Sequence, residues 1–229
     1  MKYRVIRRAL LGILFAAGVV IGAVALPVIA TGYHMYKEAV DEKPVQEVVE
    51  TLKQSDSYIP LEQISDDFIE LVIDNEDHRF YYHPGFDPIA ITRAVYYNLK
   101  AGAYVQGAST ITQQLAKNLY FSFEKRMERK VAELFVAVEL ECMYTKDDIL
   151  ELYCNVIYFG ENCYGIQSAA LHYYDCTPAE LTKDQAEALV YTIKCPTKYN
   201  PNARAKQQEE KQLAQKIMWD LEINPLTDF

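Results

Sequence analysis

Three short clusters carry residue types that could do chemistry together. In the first, Glu76-Asp77 closes an apolar helical segment (Phe68, Leu71, Val72) and leads into His78, Arg79, Phe80 and His83. A carboxylate where a buried helix meets an aromatic, histidine-containing loop is partly desolvated, which raises its pKa as a general base requires. On an ordinary helix end the same pair would be a surface feature. The second cluster, Gly107 to Asn118, is dense in hydroxyls and amides for a helix start. Free N–H groups at a helix N-terminus, beside Ser109 and Thr110, suit an anion or sugar hydroxyls. A plain N-cap explains Ser109 but not Gln113, Gln114, Lys117 and Asn118 together. The third cluster is a strip of Arg126, Arg129, Lys130 and Glu133, in which Glu133 follows Arg129 by four residues and Lys130 by three. That spacing puts the carboxylate within reach of both cations. In isolation the strip reads as a solvated helix face; beside the other two clusters it is a local positive field.

Helices must hold these residues in place. Asp87-Pro88 is an N-cap followed by proline at the first helical position, opening a helix through Ile91, Val95 and Leu99 that Gly102 can close. Ser109 is expected to cap a segment with Ile111, Leu115 and Leu119 on its apolar side. The spacing predicts a further helix from about Phe123 to Cys142. Its expected buried stripe is Met127, Val131, Leu134, Phe135, Val138 and Cys142, with Arg126, Arg129, Lys130, Glu133 and Ala137 on the opposite face. Capping boxes follow at Thr145 with Asp148, Thr177 with Glu180, and Thr182 with Gln185. No alternating run is long enough to commit to a sheet, and Asn155 to Phe159 is the best strand candidate. The body reads as one mainly α domain.

The composition agrees with an ordered protein. Half of the 229 residues are apolar, and nine Gly and nine Pro are too few for a low-complexity chain. A pI near 5.0 argues against a nucleic-acid partner. The formal charge of −9 is unevenly placed: Lys2, Arg4, Arg7 and Arg8 precede a chargeless run from Ala9 to Gly32, and the first acid is Glu38. Such a run is long enough to cross a hydrocarbon core of about 30 Å as a helix. The positive-inside rule then places the N-terminus in the cytoplasm and the acidic body outside. A cleaved signal peptide ending at Ala23-Val24-Ala25 competes with this reading, although the apolar run continues past that site. The expected layout is a basic tip over 1–8, a transmembrane anchor over 9–32, a stalk over 33–59 and a catalytic domain over 60–229. Five scattered cysteines (Cys142, Cys154, Cys163, Cys176 and Cys195) form no CxxC pair, so no zinc site is expected.

Read in order, these clusters resemble the motifs of the family 51 glycosyltransferases. These are the peptidoglycan transglycosylase domains of bifunctional penicillin-binding proteins and of monofunctional transglycosylases. Glu76 to Gly85 (EDHRFYYHPG) resembles EDxxFxxHxG, and Gly107 to Asn118 (GASTITQQLAKN) resembles GxSTITQQLxKN with Ala108 where a second glycine is common. Arg129 to Glu133 resembles RKxxE, and Lys146 to Asn155 resembles KxxILExYLN with Cys154 replacing leucine. Tyr158 to Gly160, Tyr164-Gly165 and Tyr199-Asn-Pro201 match further landmarks. The resemblance covers about residues 60 to 205, and the tail from Lys206 matches loosely.

The resemblance implies a mainly α, lysozyme-like, two-lobed helical domain beside the membrane. It also implies polymerisation of lipid II into β-1,4-linked glycan, with inversion and release of undecaprenyl pyrophosphate. Glu76 matches the general base that takes the proton of the acceptor 4-hydroxyl. Glu133 matches a second catalytic carboxylate at the pyrophosphate end of the donor. Lys117, Arg126, Arg129 and Lys130 would neutralise charge on the leaving group. Ser109, Thr110, Gln113, Gln114 and Asn118 match donor-site positions, and Asp77 and His83 match first-motif residues near the base. No cofactor is implied as obligatory; a divalent cation, Mg or Mn, has Glu133 as its one candidate ligand. The implied partners are lipid II, the nascent glycan strand, the membrane and other cell-wall synthesis proteins. The length, with no SxxK and KTG-type pair after residue 205, predicts a monofunctional enzyme without transpeptidase activity. A glycan hydrolase or lytic transglycosylase would share the fold and carboxylates, but would have no use for the basic strip. A silent scaffold would have no use for Glu76 and Glu133.

Overall fold

The computed structural model describes residues 2–121 and 126–223. Eleven α-helices lie among these residues: α1 (Lys2–Glu42), α2 (Val45–Lys53), α3 (Asp66–Glu76), α4 (Pro88–Ala101), α5 (Ile111–Tyr120), α6 (Met127–Met143), α7 (Lys146–Val156), α8 (Gly165–Tyr174), α9 (Lys183–Ile193), α10 (Pro196–Tyr199) and α11 (Pro201–Ile223). No sheet forms among the described residues. The strand candidate at Asn155 to Phe159 is instead the end of α7 plus one isolated antiparallel bridge, Tyr158 to Tyr164. The helical pattern of α7 runs on through Asn155, whose amide holds the Ile59 backbone from both sides, at 2.9 Å and 2.8 Å.

The helix ends follow their sequence signals. Asp87 accepts from the N–H groups of Ile89 and Ala90, and Gly102 closes α4 at φ 62° in the left-handed region that glycine adopts without strain. Thr145 and Thr182 form complete capping boxes, while the Thr177 box opens a single 3₁₀ turn. At α5 the cap is Thr110 rather than Ser109: its hydroxyl accepts from Gln113 N–H, and Gln113 reaches back to the Thr110 N–H. The Thr-x-x-Gln spacing makes a reciprocal box that Ser109 cannot, and this leaves the Ser109 hydroxyl for another partner.

The core is one cluster built mainly from α3, α5, α6, α7, α8 and α9. Phe68, Phe80, Ile111, Leu115, Leu140, Ile149, Leu152 and Tyr153 are among its fully buried side chains. Each such aliphatic or aromatic side chain stabilises the fold by about 1.5–3 kcal/mol. The segment expected as a stalk over 33–59 is helical instead. It completes α1 and forms α2, whose Val45 and Val49 belong to the same core. Tyr36, Val40, Val45, Val49 and Leu52 recur at three- to five-residue intervals and pack in or against the core, so the polar stretch has a buried seam.

The expected stripe of α6 is corrected. Met127, Val138 and Cys142 are exposed, whereas Ala132, Glu133, Val136, Ala137 and Leu140 are buried. The helix lies between two neighbours. Its small-residue face packs on α5, and Val131 and Phe135 meet the end of α1. Phe123, the expected start, lies outside the described residues. Tyr33 meets Phe135 edge-on at 5.2 Å, Tyr36 stacks on it at 5.5 Å, and Tyr36 donates to Glu139 at 2.8 Å. At Gly32 the backbones approach so closely that a Cβ would sit 2.5 Å from Val131 Cβ.

By length and composition, α1 has a stretch within Gly18–Glu42 able to cross a membrane. Leu11, Phe15, Val20, Val24 and Leu26 are exposed along it, which is costly in water and costless in lipid. Pro27 sits inside this helix, where spanning helices tolerate it better than soluble ones do.

Candidate active site

Glu76 is the last residue of α3, delivered to the edge of the core by Val72 and Phe68 one and two turns earlier. It lines a cavity of about 940 Å³ together with Gln113, Gln114 and Lys117 of α5, Lys130 and Glu133 of α6, and Ser109. Gln114 Nε2 donates to Glu76 Oε2 at 2.8 Å, and Tyr153 donates to Gln114 Oε1 at 3.2 Å. Burial pushes the Glu76 carboxyl above its ordinary value; the Gln114 bond and the charges of Lys194 and Lys117 pull the other way without cancelling it. Lys117 is shifted down by its own burial, with Lys130 and Arg129 adding repulsion and Glu133 opposing it.

Glu133 is 0 % exposed. A buried carboxylate is costly unless its oxygens are paired, and here both are: Arg129 holds Oε1 and Lys130 holds Oε2 at 2.8 Å. Lys130 also donates to Ser109 Oγ at 2.7 Å, tying α6 to the segment that leads into α5. Arg126, at the exposed N-cap of α6, and Asn118, half-buried on α5, do not line this cavity.

Asp77 and His83 are buried and do a different job. Both Asp77 oxygens lie 2.9 Å from His83 Nε2, and Oδ2 also accepts the Ile111 N–H at 3.0 Å. The carboxylate next to Glu76 therefore fixes the first turn of α5. Thr110 adds a second tie, donating to Gly85 O at 2.7 Å. Arg79 makes a forked ion pair with Asp87, at 2.7 and 3.0 Å, which holds the start of α4 to the same loop.

Several lining residues carry no signal that single clusters could supply. Asn75, Arg93, Tyr104, Val105, Gln106 and Lys194 reach the cavity from α3, α4, the loop after α4 and the end of α9. Only the fold brings α4 and α9 to the same opening. Glu133, the one residue the sequence offers as a cation ligand, is already engaged. Both Glu133 oxygens are held by cations, and no group of three His, Cys, Asp or Glu that could hold an ion occurs among the described residues.

The sequence as a whole has counterparts among known proteins. Residues 41–219 match the family model described as Transglycosylase. The chain is 39% identical over 165 residues to the biosynthetic peptidoglycan transglycosylase of Nitrosospira multiformis, covering 69% of this chain and 72% of that protein. It is 44% identical over 144 residues to penicillin-binding protein 1A of Aquifex aeolicus, covering 63% of this chain and 20% of that protein. With penicillin-binding protein 1A/1B of Bacillus subtilis it shares 39% identity over 199 residues, 82% of this chain and 22% of the relative. The chain thus spans about a fifth of the length of these penicillin-binding relatives. With the match extending from the end of α1 into α11, the chain belongs to the transglycosylase family.

Proposed function

We propose that the chain is a peptidoglycan glycosyltransferase that polymerises lipid II into β-1,4-linked glycan, with inversion and release of undecaprenyl pyrophosphate. The observation that carries this reading is the placement of Glu76, with its raised carboxyl, in one cavity with Lys117, Lys130 and Glu133. Glu76 takes the proton from the acceptor 4-hydroxyl as that oxygen attacks the anomeric carbon of the donor sugar, and the bond to the pyrophosphate breaks. A carboxyl with a raised pKa holds that proton more readily than an ordinary one. Lys117 and Lys130 face the leaving diphosphate, where charge builds up. Glu133 does not touch the proton; it holds Arg129 and Lys130 in fixed positions, Lys130 on the cavity wall. Ser109, held by Lys130, and Gln113 and Gln114 supply polar groups for the donor sugar.

The apolar, exposed length of α1 supports a membrane anchor, and the basic residues before it support a cytoplasmic N-terminus with the cavity on the outer side. That location puts the cavity at the surface where a lipid-linked donor is held. Purified protein given labelled lipid II in detergent or vesicles should yield longer lipid-linked glycan, and Glu76→Gln should yield none. Polymerisation that survives Glu76→Gln would overturn the mechanism. Release of short fragments from intact sacculi, without polymer, would favour a hydrolase. Running the assay with and without Mg or Mn tests whether the diphosphate brings a cation with it.

A further inference from the structure

The side chain of Asn98, near the end of α4, is almost fully committed to one loop. Its Oδ1 accepts from the N–H groups of Val105 and Gln106 at 2.8 and 2.9 Å, and its Nδ2 donates to Gln106 O at 2.9 Å. Little else fixes this part of the molecule, since Ala94 is the one buried residue of α4. The loop that Asn98 clips, residues 102–107, forms one wall of the cavity that contains Glu76. On that wall stands Tyr104, 83 % exposed, facing a cavity otherwise lined mainly by polar and charged side chains. Its hydroxyl would lie 3.1 Å from a Cβ at position 107, so glycine there leaves the ring room.

We propose that Asn98 is a positioning residue that holds the 102–107 loop as a preformed wall, and that Tyr104 on this wall stacks against a pyranose ring of the bound glycan. An aromatic face is electron-rich and attracts the weakly positive axial C–H bonds of a sugar, while the sugar hydroxyls remain free for amides such as Gln114. A loop ordered before binding costs the substrate less to engage than one ordered by it. The inference rests on the glycosyltransferase reading.

The test is lipid II polymerisation kinetics with amide hydrogen exchange on the same full-length proteins. Tyr104→Ala should raise KM by about three- to tenfold, the scale of one ring contact, with the loss falling on KM rather than kcat. Tyr104→Phe should recover most of that loss and Tyr104→Leu should not. Asn98→Ala should raise KM similarly and remove the exchange protection of the Val105 and Gln106 amides; Asn98→Asp, which keeps both accepted bonds, should retain part of each. The double variant should be no worse than the worse single one. Leucine rescuing KM would mean an apolar lipid contact and would overturn the proposal, as would additive losses or an unchanged KM in Tyr104→Ala. If the unmodified chain makes no polymer, the function reading fails and takes the sugar contact with it. The exchange data still decide whether Asn98 holds the loop.

Discussion

Gln114 donates to Glu76 Oε2 at 2.8 Å while accepting from the Tyr153 hydroxyl at 3.2 Å, so the carboxylate at the end of α3 is held by an amide whose own orientation is fixed from α7. The Tyr153 hydroxyl can only donate to the amide oxygen in this arrangement, which leaves the NH₂ to face Glu76. Three helices thus set the position and the protonation of one group.

The first prediction follows from that bond. It supports the ionised form of Glu76, against the burial that raises its pKa. Gln114→Leu removes the support, so the carboxyl is protonated up to higher pH and fewer molecules carry a competent base below neutrality. The acid limb of kcat/KM should move to higher pH, with a several-fold loss at the acid end and a smaller one on the plateau. A uniform loss at every pH would show that Gln114 acts on sugar binding alone.

Glu76 should also trade stability for activity. Its folded pKa lies above its unfolded one, so the fold is favoured by this group while it is protonated, and that contribution is lost as pH rises through the folded pKa. A neutral isostere escapes the loss. Glu76→Gln should therefore be more stable than the unmodified protein by about 1 kcal/mol near neutral pH, with the gain disappearing in acid. Thermal unfolding across pH measures it; a gain that is the same at all pH values would contradict the burial argument.

The Glu133 clamp predicts a ranking. Removing one cation leaves a fully buried carboxylate half-paired, which costs about 3–5 kcal/mol where the lost partner is itself buried. The Arg129 side chain is 14 % exposed and that of Lys130 is 40 % exposed. Arg129→Met should therefore destabilise more than Lys130→Met in denaturant unfolding. Combining Arg129→Met with Glu133→Leu should recover part of the loss, because no buried charge is then left unpaired. Equal effects of the two single changes would mean that water reaches Glu133.

Much of this site could be read in the chain, for reasons that differ by residue. Glu76, Gln114 and Lys130 lie in local clusters whose types and spacing already suggest their chemistry, and the caps at Asp87, Thr145 and Thr182 are local hydrogen-bond devices. The burial of α6 could not be read. Its charged and apolar faces suggested one outward and one inward side, yet α1 covers the Val131–Phe135 side and α5 covers the Glu133 side. A periodic pattern cannot show that a helix is sandwiched, nor that a carboxylate on its polar face is buried because two neighbours pair it. Lys194, Arg93 and Tyr104 were equally invisible, since no spacing relates them to Glu76 before α4 and α9 are packed. For the same reason the polar segment after the chargeless run looked like a stalk, although Val45 and Val49 are core residues.

The contact at Gly32 predicts that the anchor helix does more than tether. A Cβ there would lie 2.5 Å from Val131 Cβ and 2.6 Å from Glu128 O, and Val131 directly follows Lys130 on α6. Close helix approach over a glycine leaves no flexible side chain to yield, so a larger residue must move one helix. Gly32→Val should cost about 1–3 kcal/mol of stability and lower polymerisation in lipid vesicles by shifting the Arg129, Lys130 and Glu133 turn relative to Ser109. Gly22→Val, where nothing lies within 4 Å of the added Cβ, is the matched control and should leave both measurements near their original values. If the two substitutions behave alike, α1 acts only as an anchor. If only Gly32→Val loses activity, the position of the membrane-facing helix helps set the geometry of the cation clamp.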